Sequence, residues 1–224
     1  LGKLNDKTYL ESNNPFIKID KYNISSDKII SLFDLQKIEK FIEIKDNFKI
    51  LEIGAGSGRL SECILSTKEK INYVICDIPP SIYISYKRLK SAFPNKKINL
   101  FFDIDKKSLQ RKVSESEISF IFPHQLDYFN NNFFNITLAV DCFHEMDKKT
   151  IKKYFDFINQ ISSNFYFSIW SKTKNWYSGG LFKKTERLDF EKGDYPIPDN
   201  WDNKLKENLE FPSNQIALGY KINN

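Results

Sequence analysis

Several residue types that mark special classes of protein are scarce in this sequence. Only 3 of its 224 residues are cysteines and 2 are histidines. Cys63, Cys76 and Cys142 are far apart, so they form no Cys-x-x-Cys metal pair, and their odd number argues against a disulfide framework. We therefore expect reduced thiols and a cytoplasmic protein.

Long apolar runs and clusters of one charge are missing as well. No segment approaches the ~20 consecutive apolar residues of a membrane span, and the polar first part of the chain has no signal-peptide pattern. The net charge of +5 is spread along the chain rather than gathered into a basic face. We expect no membrane span and no nucleic-acid partner, and the oligomeric state stays open.

The remaining composition is that of an ordinary globular protein, with 41% hydrophobic and 28% charged residues. The length suits one α/β domain. Residues 1–46 are predicted to be a loosely structured lead-in followed by a helix, which Asp27 caps and which runs to about Lys45. Residues 47–224 are predicted to form the main domain.

From Phe48 onwards, short apolar runs alternate with helical stripes. The clearest helix follows Asp147, which is expected to cap it. Alternating strands and helices predict a mainly parallel sheet with helices on both faces. Strands are predicted at 48–53, 73–76, 98–102, 118–122, 136–140, 165–170, 204–209 and 215–222, with the last two segments as an antiparallel pair.

The first strand of this domain ends in a glycine-rich turn. Gly54, Gly56 and Gly58 alternate with other residues directly after Glu52, and glycines let the backbone bend sharply and approach a ligand closely. The second strand ends at Asp77, whose carboxylate can accept hydrogen bonds from both hydroxyls of an adenosine ribose. A glycine turn followed by an acid after the next strand is typical of a nucleoside-binding site.

The residues around the turn bear on which nucleoside is bound. The dinucleotide pattern G-x-G-x-x-G would need a third glycine where Arg59 stands. Glu52 would repel a pyrophosphate but suits the ammonium or sulfonium of S-adenosylmethionine. A nicotinamide cofactor and an accidental glycine-rich turn stay open as alternatives. The predicted cofactor-binding residues are Glu52, Gly54, Ala55, Gly56, Gly58, Asp77 and Ile78.

Residues 50–58 together with Asp77 resemble the first motif and the ribose-binding acid of class I S-adenosylmethionine-dependent methyltransferases. The resemblance implies a Rossmann-like α/β fold with a seven-stranded, mainly parallel sheet whose last strand is antiparallel, and it makes 98–102 an additional edge strand. It also implies S-adenosylmethionine as cofactor and S-adenosylhomocysteine as product. The segment that begins at Ile118 resembles the family's adenine-contacting loop, although the usual aspartate is missing. By this resemblance, His124, Gln125 and Leu126 contact the cofactor.

Residues 74–85, 141–146 and 195–201 further resemble a bacterial family of sugar O-methyltransferases, and the resemblance extends over residues 48–222. It implies methyl transfer to a sugar hydroxyl during surface-polysaccharide synthesis, with the acceptor free, nucleotide-linked or polymeric. Acceptors of another kind, such as a small natural product, a protein or an RNA, remain alternatives. A non-catalytic adenosine-binding domain is a third.

The strand that ends at Val140 is followed by the candidate catalytic residues. Transfer of a methyl group to a hydroxyl needs a base for the proton, and imidazole is the usual one. We expect His144 or Glu145 to be that base, unless His144 only satisfies backbone groups at the strand end. Asp141 is expected to hydrogen-bond the cofactor or to support the loop.

The segment after residues 165–170 carries no carboxylate, so we expect no catalytic metal. It does carry aromatic and basic side chains that could contact a sugar or a nucleotide sugar, or could simply pack. The candidate substrate-binding residues are Lys172, Trp176 and Tyr177.

Overall fold

The computed structural model describes residues 16–19, 22–170, 188, 190–209 and 215–223. The described part of the lead-in forms an antiparallel hairpin of β1 (Phe16–Ile19) and β2 (Tyr22–Ser25). For residues 16–19 and 22–25, this hairpin replaces the loose structure that was expected. Each strand has only four residues, which is too short for a strand pattern to stand out from the polar sequence around it.

Helix α1 (Ser26–Phe41) confirms the predicted helix but not its ends. Its cap is Ser25, whose side chain accepts a hydrogen bond from the Lys28 N–H at 3.3 Å. Asp27 instead lies in the first turn, where its negative charge interacts favourably with the helix dipole. The helix ends four residues before Lys45, because the chain becomes extended at Ile42.

The main sheet has eight strands in the order β5-β6-β4-β3-β7-β8-β10-β9. All neighbouring strands are parallel except β10, which is antiparallel to both β8 and β9. The predicted mainly parallel sheet is confirmed, and the additional edge strand predicted at 98–102 is present as the short strand β5 beside β6, which makes eight strands in all. The strands are β3 (Lys49–Ile53), β4 (Asn72–Cys76), β5 (Ile98–Leu100), β6 (Ile118–Ile121), β7 (Ile136–Val140), β8 (Asn164–Trp170), β9 (Trp201–Asn208) and β10 (Gln215–Ile222).

Helices cover both faces of the sheet, as predicted. Helices α1, α2 and α3 contribute to one apolar cluster, and α4 and α5 contribute to the other. Side chains of a strand alternate between the two clusters, as the pleat requires: Ile50 packs with the first, and Leu51 and Ile53 with the second. The further helices are α2 (Arg59–Thr67), α3 (Ser81–Ala92), α4 (Lys106–Ser114) and α5 (Lys148–Ile161), with short 3-10 helices at Pro123–Tyr128 and Phe143–Glu145.

Two of these helices show what the sequence pattern can and cannot reveal. Asp147 caps α5 by accepting a hydrogen bond from the Thr150 N–H at 2.7 Å, which confirms the predicted start. Helix α4 was not predicted, because only Leu109 and Val113 of its nine residues are buried and no apolar stripe is visible. It begins at a cap of the same kind, Asp105.

A buried group of charges joins α1, α2 and α3. Glu62 on α2 lies between Lys28 of α1 and Arg88 of α3 and forms ion pairs with both. All three side chains are buried, so each charge depends on its partners for compensation. The group therefore holds α1 in a defined position against α2 and α3. Among the described residues, none of the helices has both the length and the apolar character needed to cross a bilayer.

Candidate functional site

The carboxyl ends of β3 and β7 meet at the centre of the sheet. From β3 the chain continues outward through β4, and β7 begins the other half of the sheet on the opposite side of β3. Such a reversal of strand order leaves a crevice at the carboxyl ends, where α/β proteins bind ligands. The glycine turn follows β3, and Asp77 and Asp141 follow the two neighbouring strands.

The turn after β3 bends through left-handed backbone conformations. Gly54, Gly56 and Gly58 have φ angles of +68°, +56° and +76°, a region that other residues rarely adopt. A Cβ on Gly54 would also lie 2.6 Å from the Cβ of Cys142, whereas a Cβ on Gly56 would meet nothing within 4 Å. Gly54 therefore lets the turn pack against the loop after β7. Gly56 leaves room for a ligand beside the backbone.

The Asp77 side chain is hydrogen-bonded directly to this turn. Its Oδ2 accepts a hydrogen bond from the Gly56 N–H at 2.8 Å, and its Oδ1 accepts one from the Ile78 N–H at 2.7 Å. Burial raises the pKa of Asp77, although the two N–H donors act in the opposite direction. Two carboxylate oxygens offer about four acceptor positions. Asp77 can therefore hold the turn and still accept hydrogen bonds from a ligand.

A cavity of about 410 Å³ opens between the glycine turn, Asp77 and the loop after β7. This volume falls within the usual range of small-molecule sites. The structure thus brings together, around one cavity, residues that are far apart in the sequence. The predicted site residues that line it are Gly54, Ala55, Gly56, Asp77, Ile78, Asp141 and Glu145.

Glu52 lies in β3 beneath the turn, and it is not among the described residues that line the cavity. Its side chain is buried, and its Oε2 accepts a hydrogen bond from the Tyr73 hydroxyl at 2.8 Å. Burial raises the pKa of Glu52 from 4.5 to about 7, against the opposing effects of the Tyr73 hydrogen bond and the Arg59 charge. Direct contact of Glu52 with a cofactor stays a prediction.

The raised pKa of Glu52 predicts a pH dependence of stability. The folded state holds this proton more tightly than the unfolded state, so the contribution of Glu52 to stability is present below pH 4.5 and is lost as the pH rises to about 7. Relative to Glu52→Gln, the wild type should lose roughly 2 kcal/mol of unfolding free energy between about pH 5 and about pH 7.5. Urea denaturation of both proteins at the two pH values measures this. Parallel pH profiles would contradict it.

The loop after β7 places His144 between two carboxylates. Its Nδ1 lies 3.4 Å from Oδ1 of Asp141, and its Nε2 lies 3.8 Å from Oε1 of Glu145. Within the described part of the chain, neither His144 Nδ1 nor Asp141 Oδ1 has a hydrogen-bond partner, and both atoms are buried. Asp141 has a φ of +55°, a strained conformation that often occurs at functional sites. This arrangement can orient the imidazole beside the cavity that Asp141 and Glu145 line.

The residues that were predicted to contact adenine lie elsewhere. The Gln125 side chain accepts a hydrogen bond from the Phe122 N–H at 2.7 Å and donates one to the Phe101 carbonyl at 2.6 Å. Leu126 is buried in the core, while His124 is exposed and stacks on Phe122 at 5.9 Å. None of the three is among the described residues that line the cavity. Gln125 ties the loop after β6 to the loop after β5, and contact of the three residues with a cofactor stays a prediction.

Some polar residues of the cavity wall were not predicted from the sequence. Arg59 lines the cavity, although the sequence pattern only showed that it replaces a glycine. Thr150 and Tyr154 also line it, and their spacing of four residues is the sequence signal that places them on one face of α5. Gly58 caps α2 and is not among the described lining residues. The predicted substrate-binding residues Lys172, Trp176 and Tyr177 lie outside the described residues.

No group of three His, Cys, Asp or Glu side chains among the described residues could hold a metal ion. No protein-family model matches the sequence, and no curated protein matches it either.

Solved structures nevertheless show the same fold. A protein from Pyrococcus horikoshii OT3 is 14% identical and has a TM-score of 0.59, with 88% of this chain and 90% of that chain covered. Magnesium protoporphyrin IX methyltransferase from Synechocystis PCC 6803, solved with bound S-adenosylhomocysteine, is 11% identical with a TM-score of 0.56, and 88% and 86% of the two chains are covered. A SAM-dependent methyltransferase from Aquifex aeolicus is 13% identical with a TM-score of 0.54, and 87% and 92% are covered.

The chain spans about half the length of some other neighbours, among them the pyocyanin biosynthetic protein PhzM and the mitomycin 7-O-methyltransferase MmcR, of which 55% and 54% are covered. Together, these likenesses show that the chain has the Rossmann-like fold of class I methyltransferases.

Proposed function

We propose that this protein is an S-adenosylmethionine-dependent O-methyltransferase. The observation that carries the proposal is the hydrogen bond between Asp77 and the Gly56 N–H at the edge of the cavity. This hydrogen bond links the glycine turn, whose backbone a ligand can approach closely, to the carboxylate that can accept hydrogen bonds from a ribose. Asp77, Asp141 and Glu145 in the wall also suit a ligand that carries an ammonium and a sulfonium. A dinucleotide with its pyrophosphate would meet repulsion from the same carboxylates.

The residues beside the cavity can also remove the proton that methyl transfer releases. The acceptor hydroxyl must lie in line with the methyl group and the sulfur, and it must lose its proton as the new bond forms. His144 is proposed as the base, and Asp141, whose Oδ1 lies 3.4 Å from His144 Nδ1, is the carboxylate that could orient the imidazole. Glu145, which lines the cavity directly, is the alternative base.

The proposed acceptor is a sugar hydroxyl, in a nucleotide sugar or a glycan of surface-polysaccharide synthesis. This assignment is supported by the sequence resemblance and by Asp141 and Glu145, whose carboxylates can accept hydrogen bonds from neighbouring hydroxyls of a polyol. A small natural product is the second candidate. Its specific support is Ile78, an apolar residue of the cavity wall that is 59% exposed.

An assay for S-adenosylhomocysteine, run with a panel of nucleotide sugars and a panel of aromatic hydroxyl compounds, tests these proposals. Turnover with the first panel supports a sugar acceptor, and turnover with the second panel alone supports the natural-product alternative. Cofactor binding without turnover in either panel favours a non-catalytic adenosine-binding domain. Absence of cofactor binding contradicts the whole proposal.

We also propose a cytoplasmic location. It is supported by the three free cysteines, all of which are buried.

The proposed base predicts a separation of binding from turnover. His144→Ala should leave the affinity for S-adenosylmethionine within about threefold of the wild type and lower turnover by roughly 10²- to 10⁴-fold, the usual contribution of a general base. Calorimetry and the product assay measure the two effects.

Glu145→Gln distinguishes the two candidate bases, since it should have the smaller effect if His144 is the base. Asp156→Asn is the control, because Asp156 is exposed and pairs only with Lys152 among the described residues. A larger loss of turnover in Glu145→Gln than in His144→Ala would transfer the role to Glu145.

A further inference from the structure

Arg59 is the basic residue that lines the cavity, among the described residues. The other charged residues of the described wall are Asp77, Asp141 and Glu145, all acidic. The positive charge of an arginine at this position would repel a purely cationic ligand. The mixture of one guanidinium with several carboxylates instead fits a zwitterion, with a carboxylate at one end and positive charges nearby.

Helix α1 holds the Arg59 guanidinium in place. Its Nη1 donates hydrogen bonds to Oδ2 of Asp34 at 3.0 Å and to Oγ of Ser31 at 3.2 Å. Asp34 and Ser31 are buried, whereas the Arg59 side chain is 21% exposed. The guanidinium is therefore anchored through one nitrogen and is not enclosed.

The remaining donors of Arg59 are available. A guanidinium has five N–H donors in a planar fork that matches a carboxylate. No described residue accepts a hydrogen bond from Nε or Nη2 of Arg59. Arg59 is also the first residue of α2, directly after Gly58, and the N-terminus of a helix favours a negative charge. Two independent features thus favour an anion at the same point beside the glycine turn.

We propose that Arg59, positioned by Asp34, binds the carboxylate of the methionine moiety of S-adenosylmethionine. This inference rests on the proposed function and assigns one residue of its cofactor site. It also makes α1, which precedes the glycine turn in the chain, a part of that site. Asp34 is then a positioning residue, which acts on the cofactor through Arg59.

The test compares S-adenosylmethionine with its decarboxylated analogue, which keeps the adenosine, the sulfonium and the amine. The wild type should bind S-adenosylmethionine about 10- to 100-fold more tightly than the analogue, the usual effect of one charge-assisted hydrogen-bonded pair. Arg59→Met should abolish this preference by weakening only the binding of S-adenosylmethionine. Arg59→Lys should keep part of the preference, because lysine retains the charge but lacks the fork.

Two further variants complete the experiment. Asp34→Asn keeps the shape of the side chain but removes its charge, so it should reduce the preference several-fold without changing the affinity for the analogue. Arg111→Met is the matched control, because Arg111 lies on α4 on the other face of the sheet and is 67% exposed. It should leave both affinities unchanged.

The outcomes separate this inference from the proposed function. If Arg59→Met weakens both ligands equally, or if the wild type does not distinguish them, Arg59 does not bind the carboxylate, while the cofactor assignment stands. Binding of neither ligand by the wild type contradicts the cofactor assignment itself. If Arg59→Met does not fold, the wild-type comparison and Arg59→Lys still decide the question.

Discussion

Replacement of Asp77 with alanine should lower the affinity for S-adenosylmethionine by at least about 100-fold, since two hydrogen bonds to a charged group are worth roughly 3 kcal/mol or more together. The variant loses the acceptor for the Gly56 and Ile78 N–H groups and the proposed acceptor for the ribose. The turn would thus be released at the same time as the ligand contact is lost. Isothermal titration calorimetry with S-adenosylmethionine measures the effect.

Asp77→Asn and Asp127→Ala make the result interpretable. The asparagine keeps one oxygen that can accept a backbone N–H, so its affinity should lie between those of the wild type and Asp77→Ala. Asp127 is exposed in the loop after β6, and its replacement should have no effect. Undiminished affinity in Asp77→Ala would overturn the assignment of this site.

Gly54→Ala should destabilise the fold by roughly 2 to 5 kcal/mol. This sum combines the cost of a left-handed backbone at a residue with a side chain and the cost of an overpacked contact. The new Cβ would lie 2.6 Å from the Cβ of Cys142 at a φ of +68°. That neighbour is attached directly to its backbone, so it cannot rotate away. Chemical denaturation measures the loss of stability, and calorimetry measures the loss of cofactor binding that should accompany it.

Two other glycines separate the causes of that effect. Gly193 has a similar φ of +75°, and a Cβ added there would meet no atom within 4 Å. Gly193→Ala should therefore lose only about 1 to 2 kcal/mol of unfolding free energy, the cost of the backbone conformation alone. Gly56→Ala should lose a similar amount of stability, but its Cβ would enter the space beside Asp77 and weaken cofactor binding. Equal stability of Gly54→Ala and Gly193→Ala would show that the loop after β7 yields to the added methyl group.

Secondary structure was most predictable where a pattern was long or strongly capped. Helix α5 has both an aspartate cap and a complete apolar stripe, and the strands β3 and β7 are short apolar runs with clear ends. Helix α4 and the β1–β2 hairpin were missed because they bury few residues or are very short. The order of the strands in the sheet depends on pairing between distant segments, which no local pattern contains.

In the candidate site, too, local features could be predicted from the sequence, whereas contacts between distant segments could not. Gly54, Gly56 and Asp77 could be identified from their spacing, because a bend without side chains and an acid at the next strand end are local features. The relation of His144 to Asp141 and Glu145 depends on the shape of one loop. The hydrogen bond of Gln125 to the Phe101 carbonyl could not be predicted, since the two residues are 24 positions apart and only the folded chain brings them together.

The sequence by itself determined the alternation of strands and helices, the glycine bend and the acid that follows it, because each depends on residues close together along the chain. The tertiary structure decided which of these residues share a cavity, how Asp34 of α1 comes to hold Arg59, and why the pKa of Glu52 is raised to about 7. These properties depend on burial and on contacts between distant segments, and both arise only when the sheet and its helices are assembled.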